Sequence, residues 1–337
     1  MTYPINKLNL NITNFLKKVV SADILGAVES GLRNQIELID DGEHATDAAS
    51  IGYNVLTGKS EVRLSTAYCQ FFWLICDVAL KVLDRNVIVE NCVRTGITLE
   101  QFLSATEQTR KMTADQVAPF LPPVMRSHAD SYLAYLALVP ELLKADFWSQ
   151  MQQEYAAAMS IIDKEEPIHE KAIDALDINS LYSERVNSVY CYGIAFLLLH
   201  ELAHHSLNHV NRETEAEDEM NADYSAFWSI YFDIDGIERF SANAGILCAF
   251  FSFLMYDPYQ IMIEDHPTDF KRLFALYDEI KDETPKYTQL LKGLLDFWAT
   301  VNVIADYPMG LPEDNDSIQI ICQFFEEKYN NSNDRNT

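Results

Sequence analysis

Apolar residues recur at helical spacing along most of the chain, and that pattern predicts a mainly α-helical protein. Leu8, Leu10, Ile12, Phe15 and Leu16, then Ile24, Val28, Leu32 and Ile36, mark a first helical stretch. The pattern then changes: Ile51–Leu56 and Glu61–Leu64 flank Thr57-Gly58-Lys59-Ser60, which reads as a small β-hairpin. Ser65–Leu83 is apolar enough to be a core helix, and Thr98–Lys111 is a further helix with Thr98 as its cap. Pro119-Phe120-Leu121-Pro122-Pro123 is the clearest break. It divides an N-terminal region, 1–118, from a second region, 124–328, and the polar residues 329–337 read as a disordered tail. Within the second region helical spacing covers Ser127–Leu143, Ala145–Ile162, Tyr190–His209, Tyr287–Val303 and Asp316–Lys328, and Ala244–Tyr256 reads as buried.

The helix from Tyr190 carries the chemistry. It contains His200-Glu201-Leu202-Ala203-His204, an H-E-x-x-H pattern. Residues four apart share one helical face, so both imidazoles can reach one zinc ion, Zn2+. Glu201, one position round, can contact a water on that ion without ligating it. The bland alternative is an amphipathic helix with solvated histidines. Gly193–Leu199, apolar all round, argues against it, because histidines emerging from a buried helix need partners.

Two histidines do not close a zinc site. His209 lies nine residues after His200 and points to the opposite face of a continuous helix; it remains a candidate only if Asn208 breaks the helix. The better source is the acidic stretch Glu215–Asp223. On a helix, Ala216, Met220, Phe227, Ile230 and Tyr231 form an apolar stripe with Asp223 in its middle and Glu219 at its edge. Glu219 as the third ligand, with Asp223 accepting the N–H of a ligating histidine, satisfies both carboxylates. Glu215 is the substitute for Glu219.

His200-Glu201-x-x-His204 followed by Glu219-x-x-Ala222-Asp223 resembles the gluzincin metallopeptidases. His266-Pro267 with Arg272 six residues after the histidine is similar to a spacing in prenyl protease-type peptidases. Among soluble proteins the stretch Val186–Leu273 resembles the family of the phage-exclusion protein Lit. The resemblance implies a zincin-like helical core, zinc held by His200, His204 and Glu219, and Glu201 as general base. It also implies a substrate that is an intracellular protein, translation elongation factor Tu being the example, and a phage-derived activator. His266 is either an oxyanion donor or a plain residue at a helix start. Arg272 binds a substrate carboxylate or a structural one from the acidic helix.

Composition narrows the setting. Asp and Glu number 51 against 25 Lys and Arg, a net charge of −26, which excludes a nucleic-acid binder and an anionic membrane surface as partners. Six scattered cysteines form no C-x-x-C pair and read as buried thiols. The N-terminal residues lack a signal-peptide core, and the longest apolar run, Ala244–Ile263, is broken by Asp257-Pro258. The expectation is a cytoplasmic zinc endopeptidase. Its rivals are a zinc amidohydrolase acting on small amides and an interaction protein with a closed, structural zinc.

Overall fold

The computed structural model describes residues 8, 12, 36–39, 49–54, 59–162, 181–207, 216–231, 234, 236–256, 269–304, 306–312 and 314–336. The described part is mainly helical. Three strands come first: β1 (Ile36–Ile39), β2 (Ala49–Asn54) and β3 (Lys59–Ser65), in the order β1-β3-β2. β2 runs antiparallel to β3, with Ala49 opposite Leu64 and Asn54 opposite Lys59, whereas β1 runs parallel to β3 with Ile36 opposite Val62.

Ten longer helices follow among the described residues: α1 (Thr66–Thr95), α2 (Leu99–Arg110), α3 (Ala129–Leu142), α4 (Phe147–Ile162), α5 (Leu181–Ser206), α6 (Ala216–Tyr231), α7 (Gly236–Tyr256), α8 (Asp269–Ile280), α9 (Pro285–Val301) and α10 (Asn315–Asn336). Thr98 caps α2 as its spacing predicts: its hydroxyl accepts from Gln101 N at 3.2 Å and the Gln101 amide oxygen accepts from Thr98 N at 2.9 Å. α10 is continuous to Asn336, through the stretch expected to be a disordered tail. Its anchored half, with Ile318, Ile321 and Phe325 buried, propagates a helix into polar sequence that would not nucleate one.

α1 is the central element. From Tyr68 to Leu83 nearly every side chain is buried, as a continuous apolar run requires. α4, α5, α7 and α9 pack round it. The proline-rich break at 119–123 lies between α2 and α3, and the buried side chains on either side of it, Tyr68–Cys92 and Leu136–Phe325, belong to one core. Charge inside this core is paired. Lys81 Nζ lies 2.6 Å from Asp77 and 2.9 Å from Glu154 of α4, and Arg185 of α5 donates to Asp84 at 2.8 Å.

Ser183–His204 of α5 is long and apolar enough by composition to cross a membrane, and 72% of its most apolar window is buried inside the fold. The closest packing is with α7, where Gly193 meets Gly245. A Cβ on Gly245 would come within 2.4 Å of Val189 O and 2.7 Å of Gly193 N, and one on Gly193 within 2.8 Å of Gly245 O. The two backbones touch, so neither glycine can be replaced without parting the helices. β2, at the sheet edge among the described residues, also lies against α5.

Gly245→Ala should therefore destabilise the protein by about 3 kcal/mol, as an overpacked core with no flexible neighbour does. The urea midpoint measures this; an unchanged midpoint would show that the helices separate at no cost.

Candidate metal centre

α5 enters the core through its apolar turns and delivers His200 and His204 about two to three turns beyond the Gly193 crossing. α6 lies across the same end of α5 and buries Ala222, Asp223, Ala226, Phe227 and Ile230. Asp223 falls in that apolar stripe, as its spacing predicts, with Glu219 one turn earlier. α8 closes the site from a third side with Arg272.

The geometry is tight. His200 Nε2 and His204 Nε2 are 3.0 Å apart. Glu219 places Oε2 at 3.3 Å from the first and Oε1 at 3.3 Å from the second. The carboxylate of Glu219 thus faces both imidazoles, one oxygen toward each, and three side chains of the kinds that ligate zinc converge on one point. Among the described residues, His200, His204 and Glu219 form the one group of this kind, with candidate ligand atoms within 4.8 Å of one another.

Behind the histidine pair stands a second layer of charge. His200 Nδ1 lies 2.8 Å from Asp223 Oδ1. A carboxylate can only accept, so Nδ1 carries the hydrogen that faces Asp223, and whenever the ring is neutral its lone pair is on Nε2, facing His204 and Glu219. Arg272 donates from Nε to Asp223 Oδ2 at 2.6 Å and from Nη2 to Asp223 Oδ1 at 2.8 Å. Its Nη2 is also 3.4 Å from Glu219 Oε2, and its Nη1 is 3.7 Å from Asp269. Of the two partners open to Arg272 from sequence, the acidic helix is the one it meets. Phe250 beneath the guanidinium and Asp269 beside it were not singled out. The i, i+3 spacing of Asp269 to Arg272 was the one available signal. His266, Glu215 and His209 lie outside the described residues.

These contacts set the charges. Burial opposes a charge on His200, but its hydrogen bonds to the Asp223 and Glu219 carboxylates and the Asp223 charge outweigh it and raise its pKa to about 9. Burial alone would raise Glu219 and Asp223; the histidines and the Arg272 charge instead hold both below the usual carboxylate range. Glu201 is different. Burial raises its pKa, only partly offset by the two histidines, so it is more basic than a surface glutamate.

A family model described as Peptidase U49 matches residues 140–290. The matched stretch includes α5, α6 and α8 with every residue of the cluster, and it supports peptidase activity. No curated protein and no solved structure matches the chain.

The raised pKa of His200 makes a signed prediction for the metal-free protein. Its protonation contributes stability that is full below about pH 6.5, the unfolded value, and is lost as pH rises through about 9. Melts in chelator should fall across that window by the equivalent of roughly 3 kcal/mol. A flat profile from pH 6.5 to 9 would contradict the His200 contacts.

Proposed function

We propose that this chain is a zinc-dependent endopeptidase. The observation that carries the reading is the convergence of His200, His204 and Glu219, with ligand atoms within 4.8 Å of one another, beside a half-buried carboxylate, Glu201, that takes no part in the three-residue group. His200, His204 and Glu219 would hold the ion, and the donor set, two imidazoles and one carboxylate, suits a catalytic zinc with one position left for water. When bound, zinc supplies a Lewis acid that acidifies water and polarises a carbonyl.

The remaining roles belong to the chain. Glu201 takes the proton from water as it attacks the peptide carbonyl and passes it to the leaving nitrogen. Its burial-raised basicity suits both halves of that task. Asp223 keeps His200 in the tautomer that points Nε2 into the site. β2 supports a mode of substrate binding: among the described residues it is an edge strand, it lies against the helix that carries the histidines, and an extended peptide could add to it by strand pairing. His266 remains a proposed donor to the oxyanion. By resemblance to the Lit family, the substrate is an intracellular protein such as elongation factor Tu, the setting the cytoplasm, and the trigger a phage-derived signal.

Two variants separate the roles. Glu201→Gln should keep about one zinc per chain and lose peptide cleavage by about 10²–10⁴-fold. Glu219→Ala should lose the zinc itself. Metal content is read by elemental mass spectrometry and cleavage by peptide mass spectrometry on a cell lysate. Wild-type cleavage by Glu201→Gln would end the catalytic reading. A structural zinc with a closed fourth position would refuse a hydroxamate inhibitor, which the endopeptidase should bind.

A further inference from the structure

The side chain of Arg272 is only 11% exposed, and its contacts with described residues are internal to the cluster. Its guanidinium grips both oxygens of Asp223, at 2.6 and 2.8 Å, and the oxygen it shares with His200 Nδ1 is the one its Nη2 holds. The same Nη2 reaches Glu219 Oε2. Phe250 stacks under the guanidinium, its ring centroid 5.1 Å from Cζ, and Asp269 flanks the far nitrogen. A planar fork held on its edges and on one face has one orientation.

We propose that Arg272 is a positioning residue for the metal centre, fixing the two carboxylates on which the ligand set depends. This rests on the zinc reading above. The plane of the Asp223 carboxylate is set by the guanidinium, and that plane sets the tilt of the His200 ring, whose Nδ1–H must meet it. Glu219 is held from the same cation, so one side chain of α8 orients a histidine of α5 and a glutamate of α6 together. Lysine offers a point charge without the fork and cannot hold three oxygens in a fixed relation. The guanidinium is taken up by Asp223, Glu219 and Asp269, which separates this role from recognition of a peptide carboxylate.

Cobalt(II) titrated into the zinc-free full-length protein, followed by its visible absorption, tests the proposal without any substrate. Arg272→Met should bind cobalt about 10–100-fold more weakly than wild type, with altered visible bands. Arg272→Lys should recover part of the affinity but not the wild-type spectrum. Wild-type affinity and bands in both variants, with unchanged far-ultraviolet circular dichroism, would overturn it. If the methionine variant does not fold, the lysine variant decides alone: wild-type affinity and bands overturn the role, and a weakened, altered complex supports it. A wild-type protein that binds neither cobalt nor zinc defeats the endopeptidase reading itself, a result distinct from losses confined to the variants.

Discussion

The carboxylate of Asp223, 2% exposed, stands between a histidine of one helix and an arginine of another, and the meeting of α5, α6 and α8 depends on that pairing. An unpaired charge at this depth would cost several kcal/mol, so the helices come together only in the arrangement that matches each charge with another. His200, Glu219, Asp223 and Arg272 are each tolerable because the other three are present. The network thus specifies one relative placement of the helices where apolar packing alone would accept several.

That placement also divides labour among carboxylates of similar chemistry. Glu219 and Asp223 are held ionised by cationic neighbours, which suits a ligand and an orienting acceptor. Glu201, on the same helix as the histidines, is half-buried with a weaker offset, which would suit the proton transfer proposed for it. The environment, more than the residue type, assigns the work.

Much of this was legible because local periodicity encodes it. The spacing of His200 and His204 fixes a shared face in any helix, and an aspartate inside the apolar stripe of α6 announces a buried partner before the partner is known. What was not legible is tertiary. α1 runs on past Leu83 to Thr95 through Asp84 and Arg85, polar residues that look like a helix end; Asp84 pairs with Arg185, and Arg85 lies over Phe147. α5 starts at Leu181, nine residues before its apolar run, and Arg185 is again the reason. Arg272 had two plausible targets in sequence, and Phe250 none, because their contacts join helices whose approach no local pattern records.

The backbone contact of Gly193 and Gly245 has a mechanical consequence. Two helices riveted at one crossing cannot slide or separate there, so α5 and α7 form a stationary wall of the site. On the proposed function, any opening that admits a polypeptide would come from the opposite side, through displacement of α6 and α8. The immobile half would carry the imidazoles and Glu201; the movable half would carry the anions that tether them.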